Sequence, residues 1–347
     1  MTSRLREKLL KNTTIEQTAI LSQSKIFGKK DVITTDVPAI NLALSGDPDG
    51  GLTPGLTLIC GDSKNFKTSF TLLLASAFLR KYEDGIILFY DSEFGSSESY
   101  ISSFDIDPSR IVHTPITDIE NLKHDIVKQL DGIDRSDKVI IMIDSIGNLS
   151  SRKEAADALE GKSSADMTRA KQLKSLFRII TPHLTIKDIP LIAVNHIYKE
   201  MSLYPKDIVG GGTGVYLSSD NIWIVGRQKD TDKNTKEILG YNFIINIEKS
   251  RFVREKSKIP VEVSYKGGIN RWSGMLDLAV EGGFVVCPKM GRYARGHLLE
   301  EMATPLKRSA IENSDTFWAE VLENTNFKEW LKHKFQLPGT SMLIVNQ

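Results

Sequence analysis

The sequence predicts an α/β fold in which a mostly parallel, twisted sheet is flanked by helices. Two observations favour this fold. Short apolar runs recur along the chain without regular apolar–polar alternation, as is typical of strands that are covered on both faces. Helical patterns separate the first four runs. Strand–helix–strand units form right-handed crossovers, so their strands are expected to be parallel.

Seven segments are predicted to be strands because they are brief and rich in β-branched or other apolar residues. They are residues 56–60, 86–90, 138–143, 191–194, 222–225, 243–247 and 261–265. Long helices are absent between the last three segments. We therefore expect these strands to run antiparallel along one edge of the sheet.

Three helices are predicted between the first strands from apolar residues at helical spacing. Their stripes are Phe70, Leu73, Leu74, Ala77 and Phe78; Ile119, Leu122, Ile126 and Leu130; and Met167, Ala170, Leu173, Phe177 and Ile180. A capping box from Thr117 to Glu120 is predicted to open the second helix.

The chain divides into three predicted regions. Residues 1–29 are polar, and Leu5, Leu9 and Leu10 indicate a short amphipathic helix. Residues 30–271 contain the predicted strands and form the core. Residues 272–347 contain Trp272, Trp318 and Trp330 and are predicted to form a small C-terminal α+β domain.

Composition excludes several classes of protein. The 347 residues are 40% hydrophobic and 26% charged, with a net charge of +1, which argues against a basic coat over the whole surface. The two cysteines, Cys60 and Cys287, are far apart, which predicts a reducing compartment and no zinc site. The N-terminus lacks the apolar core of a signal peptide, and the apolar runs are too short to cross a bilayer. We expect a soluble, cytoplasmic protein.

Polar groups follow four of the predicted strands, where ligands bind in an open parallel sheet. They are Gly61 after the first strand, Asp91 and Glu93 after the second, Asp144 after the third, and Asn195 with His196 after the fourth. A single aspartate after a strand is a common turn former. Four successive strands that end in this way predict a binding crevice.

The stretch "GDSKNFKTS", residues 61–69, nearly matches the phosphate-binding pattern G-x-x-x-x-G-K-[ST]. Such a loop surrounds phosphates with backbone N–H groups, the start of a helix and one lysine. Thr68 is the expected Mg²⁺ ligand, and Asp144 is expected to hold the ion directly or through water. Phe66 replaces the second glycine, so its backbone is expected to adopt a conformation that a β-carbon tolerates.

Glu93 and His196 are the candidate catalytic groups beside Lys67. A carboxylate at this strand end suits the orientation and deprotonation of an attacking water, although Glu93 also fits a surface loop residue. His196 suits a hydrogen bond to the γ-phosphate, or a purely structural role. Asp91 is predicted to be a structural cap.

Taken together, "GDSKNFKTS", "FYDSEFG", "MIDSIGNLSS", "VNHIYKE", "GGGTG" and "NIEKSRF" resemble the tailed-phage UvsX recombinases, a branch of the RecA family of strand-exchange ATPases. The resemblance runs from the N-terminal helix to about Trp330. It implies a RecA-like P-loop core and a DNA-dependent ATPase with ATP and Mg²⁺ as cofactors. It also implies that Phe66 is a variant typical of the phage branch.

The resemblance assigns roles residue by residue. The phosphate loop comprises Gly61, Asp62, Ser63, Lys64, Asn65, Phe66, Lys67, Thr68 and Ser69. Tyr100 matches an aromatic residue that stacks on adenine. Lys249 and Arg251 match a basic pair that reaches phosphates in the neighbouring subunit, whereas the residues alone also suit a solvated edge strand. The N-terminal helix is expected to dock on the adjacent core, with Ile26 and Phe27 as candidate anchors.

Two segments, 151–166 and 197–214, are interpreted as flexible loops that face DNA. Cations, aromatic residues and glycines in such loops suit single-stranded DNA; without the resemblance they indicate only mobility. The candidate DNA contacts are Arg152, Arg169, Lys199, Tyr204, Lys206, Gly211 and Gly212. Lys289, Arg292 and Arg295 around Tyr293 resemble a patch that gathers duplex DNA.

The function implied is a recombinase that forms ATP-dependent filaments on single-stranded DNA, pairs it with homologous duplex DNA and exchanges strands during phage recombination, repair and replication. Implied partners are both DNA forms, further copies of the chain, a single-stranded-DNA-binding protein and a recombination mediator, and no membrane. Two alternatives stay open. One is a helicase or ring motor on the same fold, and the other is a non-catalytic DNA-binding scaffold that is switched by nucleotide binding.

Overall fold

The computed structural model describes residues 4–26, 28, 31–162, 167–201, 205–232 and 235–337. Fourteen strands lie in these ranges: β1 Gly55–Gly61, β2 Ile86–Asp91, β3 Ile111–Pro115, β4 Val139–Asp144, β5 Pro190–Asn195, β6 Ile197–Lys199, β7 Asp207–Val209, β8 Asn221–Thr231, β9 Ile238–Ser250, β10 Lys258–Ser264, β11 Gly268–Ile269, β12 Val285–Lys289, β13 Arg292–Arg295 and β14 Leu306–Lys307.

The same ranges contain twelve α-helices. They are α1 Arg4–Asn12, α2 Pro38–Ser45, α3 Lys67–Lys81, α4 Glu98–Ser102, α5 Ile119–Gly132, α6 Arg152–Leu159, α7 Thr168–Lys187, α8 Thr213–Ser218, α9 Met275–Glu281, α10 Arg308–Ile311, α11 Asp315–Glu323 and α12 Phe327–Phe335.

Nine strands form one large sheet in the order β11-β10-β9-β8-β1-β5-β4-β2-β3. The strands from β8 to β3 in this order are parallel, and β9, β10 and β11 continue the sheet antiparallel. The predicted α/β class and the antiparallel edge are therefore confirmed. Every predicted strand overlaps an observed one.

Helices cover both faces of the sheet. On one face, α5 and α7 pack their apolar stripes against β1, β4 and β5. On the other face, α2 and α3 pack against the sheet in a cluster that continues into α9, α11 and α12. Burial on both sides explains why all seven residues of β1 are apolar or small and fully covered.

The start of α5 differs from the predicted capping box. Asp118, rather than Thr117, is the N-cap, and its side chain accepts a hydrogen bond from the backbone N–H of Asn121. Glu120 is engaged elsewhere, because its carboxylate accepts a hydrogen bond from the backbone N–H of Arg152 at 3.1 Å. The prediction was wrong by one residue.

The C-terminal region contains α9–α12 and a separate three-stranded antiparallel sheet, β12-β13-β14. Trp318 is fully buried and stacks on Trp272 at 5.9 Å between ring centroids. Val253, which follows β9, and Gln336, which follows α12, form an antiparallel β-bridge. The bridge connects the end of α12 to a segment of the large sheet's β9–β10 connection. The boundaries at residues 29 and 271 stay predictions.

Among the described residues, none of the N-terminal helix α1 is fully buried, although Arg6 and Leu10 are partly buried. Leu5 and Leu9 are 63% and 62% exposed. The apolar side of α1 thus faces solvent in a single copy. Ile26 is partly buried, and Phe27 lies outside the described residues.

Candidate functional site

Strand register brings the predicted crevice residues together. Cys60 pairs with Asn195 across β1 and β5, and Asp91 pairs with Asp144 across β2 and β4. The groups after these residues therefore emerge at one edge of the sheet. Ser63–Ser69, Glu93, Tyr100 and His196 line one cleft of about 270 Å³ there.

The loop between β1 and α3 requires close contact with the neighbouring strand. Gly61 has φ +156°, and a β-carbon at this position would lie 2.7 Å from the carbonyl oxygen of Val225, too close for any side chain. Lys64 and Phe66 have φ values of +63° and +61°, in the left-handed region.

The prediction that Phe66 adopts a conformation suited to a β-carbon was wrong. Phe66 keeps the left-handed backbone that glycine favours, which costs about 1–2 kcal/mol for other residues. Its ring stacks on Phe243 at 4.9 Å and meets Phe70 edge to face at 5.3 Å. These aromatic contacts offset the backbone cost, each by about 0.5–1.5 kcal/mol. The ring packs against the hydrophobic cluster.

Lys67 opens α3 and is only 7% exposed. Its ammonium donates a 2.8 Å hydrogen bond to the backbone carbonyl of Asp62, inside the loop. Burial lowers the pKa of Lys67, while the charges of Glu93 and Asp144 oppose that shift. A buried cation that points into a loop of this shape suits a phosphate group.

Thr68 and Asp144 are joined directly, since the Thr68 hydroxyl donates a 2.6 Å hydrogen bond to Oδ2 of Asp144. The carboxylate is 3% exposed, and its Oδ1 has no hydrogen-bond partner among the described residues. Burial raises the pKa of Asp144 to about 6, although the bond from Thr68 opposes the shift.

This donor set fits Mg²⁺, an oxygen-seeking cation that takes one or two protein ligands and completes its shell with waters and phosphates. Thr68 supplies a hydroxyl and Asp144 a carboxylate with a spare oxygen. In the described ranges, no group of three or more His, Cys, Asp or Glu side chains could hold a metal ion.

Glu93 lies beside His196, with 3.5 Å between Oε1 of the carboxylate and Nε2 of the ring. The hydrogen bond from His196 is the largest influence that lowers the pKa of Glu93, and Ser145 and Lys67 act in the same direction. Asp91 caps the turn that carries Glu93, because its Oδ1 accepts bonds from the backbone N–H groups of Glu93 and Phe94. Asp91 has the structural role that the sequence predicted.

Tyr100 lines the same cleft and is 38% exposed. Its hydroxyl hydrogen bonds with the Ser69 hydroxyl at 2.6 Å, and its ring meets Phe104 edge to face. One ring is thus fixed at the rim of the cleft. Its stacking on adenine stays a prediction.

His196 also stands at the base of the hairpin formed by β6 and β7. Asn195 donates to the carbonyl of Gly210 at 2.8 Å, and the Gly210 N–H donates to the carbonyl of His196 at 3.0 Å. These bonds tie both ends of the hairpin to the cleft. The segment 197–214 is therefore partly regular, and its interpretation as a flexible loop throughout was wrong.

The candidate DNA contacts of this hairpin have local partners. Lys199 forms an ion pair with Asp207 across the two strands. Lys206 is exposed. Gly211 and Gly212 have φ values of +87° and +79°, which favour glycine. Tyr204 lies outside the described residues.

The segment 151–166 also contains regular structure, helix α6. Ser151 and Glu154 form a capping box, with bonds of 3.0 Å and 3.3 Å between side chain and backbone. The cap compensates for the missing apolar stripe, which explains why the prediction of a loop was wrong for 152–159. Arg152 lies at the start of α6 near Asp118 and Asn121 and is well exposed.

Arg169 donates hydrogen bonds to the backbone of a neighbouring segment of the chain. Its guanidinium donates to the backbone carbonyls of Ile146, Gly147 and Leu149 at 2.8–2.9 Å. It thereby connects α7 to the segment that follows Asp144. A DNA contact by Arg169 requires these bonds to be exchanged.

Lys249 and Arg251 lie at and just after the end of β9, and neither lines the cleft. Lys249 donates to the carbonyls of Tyr216 and Leu217 at 2.9 Å and 3.1 Å, and burial lowers its pKa. Arg251 pairs with Asp220 at 2.5 Å. The structure does not bring this pair to the phosphate loop of its own chain.

Three exposed cations stand directly opposite one another in the small C-terminal sheet. Lys289 pairs in register with Arg292, and Arg292 pairs with Lys307. None of the three forms an ion pair within the described part of the chain. Arg295, the third cation of the predicted patch, is instead paired with Glu301. Sequence reasoning missed Lys307, because only strand pairing brings it to the row.

Sequence reasoning also missed two groups that hold the cleft. Ser92 exchanges hydrogen bonds with the backbone of Ser145 at 2.7 Å and 2.9 Å, which fixes the two strand ends together. Phe243 supports the phosphate loop from β9. Phe243 carried only a strand signal, since its contact with Phe66 is far away in sequence.

In the described parts of the chain, no helix has the length and apolar character needed to cross a membrane.

Comparisons with known proteins agree with this architecture. The family model described as "Bacteriophage T4, Recombination and repair protein, C-terminal domain" matches residues 272–331. The "Recombination and repair protein" of Enterobacteria phage T4 is 45% identical over 340 residues, which are 96% of this chain and 86% of that protein.

Bacterial proteins named "Protein RecA" are more distant relatives. That of Tropheryma whipplei is 27% identical over 74% of this chain, and this match covers 56% of the bacterial protein, less than two thirds. That of Acidothermus cellulolyticus is 25% identical over 74% of this chain and 72% of its own length.

Proposed function

The chain belongs to the UvsX family of phage recombination and repair proteins, relatives of RecA, and we propose that it is a DNA-dependent ATPase that forms filaments on single-stranded DNA and exchanges strands with homologous duplex. The observation that carries this proposal is the cleft in which Lys67, Thr68, Asp144, Glu93 and His196 converge. Each group has a distinct task there.

Binding of ATP falls to the phosphate loop. Its backbone N–H groups and the Lys67 ammonium complement the phosphates, and Thr68 with Asp144 would hold Mg²⁺. When bound, the ion neutralises charge on the phosphate oxygens. Tyr100 at the rim offers an aromatic face for the base.

DNA-coupled hydrolysis requires a base for the attacking water and a group that senses whether a γ-phosphate is bound. Glu93 is kept ionised by its neighbours, so it can orient a water and accept its proton. His196 contacts Glu93 and begins the β6–β7 hairpin. Occupation of the cleft can therefore alter the hairpin that we propose contacts single-stranded DNA.

Self-assembly is supported by the solvent-facing leucines of α1 and by the position of Lys249 and Arg251 away from their own cleft. In a filament, the basic pair would reach the phosphates bound by an adjacent copy, as arginine fingers do in trans. A single-stranded-DNA-binding protein and a mediator are further proposed partners.

Electron microscopy of the full chain tests this function most directly. With single-stranded DNA and a slowly hydrolysed ATP analogue, we expect open helical filaments, and ATP turnover that rises when DNA is added. Closed rings with directional unwinding would favour a helicase instead. Nucleotide binding whose turnover is unchanged by DNA would favour a switched scaffold.

A further inference from the structure

Strands β8 and β9 contact the phosphate loop at three consecutive residues, Lys64, Asn65 and Phe66. Arg227 donates a 3.1 Å hydrogen bond to the backbone carbonyl of Lys64. Asn65 donates a 2.7 Å bond to the carbonyl of Val225. Phe66 stacks on Phe243. The loop is therefore attached to the sheet by contacts within the chain itself.

The two side chains that reach from the sheet are direct neighbours. Arg227 and Phe243 are opposite one another in the β8–β9 register, so they project from the same face. The Arg227 guanidinium also lies 4.8 Å from the centre of the Tyr241 ring. This ring helps to orient the guanidinium toward the loop.

The loop needs such support because of its own sequence. Lys64 and Phe66 both have positive φ values, and neither is the glycine that would adopt this backbone without strain. Strained backbone persists only where surrounding structure holds it. Unlike glycine, Phe66 has a side chain, and its contact with Phe243 can hold the loop in place.

We propose that Phe243 and Arg227 are positioning residues for the phosphate loop, which act through Phe66 and the Lys64 carbonyl to keep the loop in its phosphate-binding shape. The inference rests on the proposed nucleotide site. Neither residue is assigned contact with nucleotide. Their contribution is preorganisation, so their loss should weaken binding more than it slows turnover at saturation.

We call the contacts of Phe243 and Arg227 with the phosphate loop the clamp. Amide hydrogen exchange of the nucleotide-free full chain tests the clamp without any ligand. Phe243→Leu retains apolar volume but removes the ring, so exchange at residues 62–66 should accelerate. Phe243→Tyr keeps the ring and should restore slow exchange. The control Phe284→Leu removes a ring that packs on Phe327 at 5.1 Å, far along the chain in the C-terminal region. Equal loop exchange in wild type and Phe243→Leu would overturn the clamp.

Titration with Mg²⁺ and ADP tests its consequence. Phe243→Leu should bind about five- to ten-fold more weakly than wild type, the loss expected from one aromatic pair. Arg227→Gln should also weaken binding, whereas Lys229→Gln, two residues further along β8 and opposite Tyr241, should not. In ATP turnover, KM should rise while kcat changes little. Wild-type affinity in both clamp variants would overturn the inference, whereas a wild type that binds no nucleotide would overturn the proposed function.

Discussion

The hydroxyl of Thr68 donates a 2.6 Å hydrogen bond to one oxygen of Asp144, while the other oxygen of this buried carboxylate is unpartnered within the described residues. An ionised group with an unsatisfied oxygen is costly in a protein interior. Its raised pKa, about 6, reflects that cost. The fold tolerates the cost at the place where a cation is expected.

Asp144→Asn should therefore stabilise the nucleotide-free chain while it abolishes Mg²⁺-dependent hydrolysis. The neutral amide can still accept a hydrogen bond from Thr68, and removal of the buried charge should add about 1–3 kcal/mol at neutral pH. Thermal unfolding without Mg²⁺ measures the gain. The gain should shrink as pH falls below about 6 and vanish below the ordinary value of 3.8, where the carboxyl is protonated in both the folded and the unfolded chain. A less stable variant at neutral pH would contradict this account.

Lys67→Ala should weaken ATP binding by about 100-fold or more, because a buried cation that faces phosphates has no substitute. Strand exchange and DNA-stimulated turnover should disappear with it. Arg80→Ala is the matched control, since Arg80 is a cation in the last turn of the same helix α3 and pairs with Asp36 away from the cleft. Fluorescent nucleotide binding and ATP turnover check both variants. Undiminished DNA-dependent turnover in Lys67→Ala would refute the site assignment.

The Glu93–His196 contact predicts a shift in the pH dependence of hydrolysis. His196 lowers the pKa of Glu93, so the stability that Glu93 gains from this contact is present above its ordinary pKa and is lost as pH falls through the lowered value. His196→Ala should raise the pKa of Glu93 and move the acidic limb of the kcat profile to higher pH.

His113→Ala is the control for that shift. His113 lies in β3, and its Nε2 is 3.2 Å from Oδ2 of Asp91 at the end of β2. His113 does not line the cleft. Its loss should leave the acidic limb in place. An unmoved limb in His196→Ala would contradict the assignment of Glu93 as the base.

Much of this site could be predicted from sequence because strand ends in a parallel sheet meet at one edge. The positions of Gly61, Glu93, Asp144 and His196 followed from the short apolar runs that predict the strands, and register brought them together. Short elements without apolar periodicity were missed. Strand β3 has three exposed and two partly buried residues and no fully buried one, and α6 depends on its cap.

The support of the phosphate loop could not be predicted in this way. Phe66 was recognised as the replacement of a glycine, but its backbone conformation depends on Phe243, which lies 177 positions later in the chain. Likewise, the Lys289–Arg292–Lys307 row exists only through strand pairing. Contacts between distant segments determine whether a local sequence rule holds.

Replacement of the central cation in that row should affect stability and DNA binding in opposite directions. Like charges opposite one another in a sheet are unfavourable, so Arg292→Ala should stabilise the fold by about 0.2–1 kcal/mol. If the row binds duplex DNA, the same change should weaken binding and reduce the salt slope by about one. Thermal unfolding and duplex titration over a range of salt measure both effects.

Arg295→Ala is the matched control for the row. Arg295 pairs with Glu301 and lies over the Phe317 ring at 5.2 Å, so its loss should destabilise the fold and change the salt slope little. A salt slope that is unchanged in Arg292→Ala would exclude the row as a duplex contact.

Mixed filaments provide a test of the contact between subunits by Arg251. In a head-to-tail assembly, each seam combines the phosphate loop of one copy with the basic pair of the next. Lys67→Ala and Arg251→Ala should each be inactive alone. An equal mixture should regain activity at roughly one seam in four, where an intact loop meets an intact Arg251. Activity requires Arg251 to leave Asp220, to which it is paired within one copy. Because a role within the same chain cannot be complemented by a neighbour, a mixture that stays inactive would place Arg251 outside the seam.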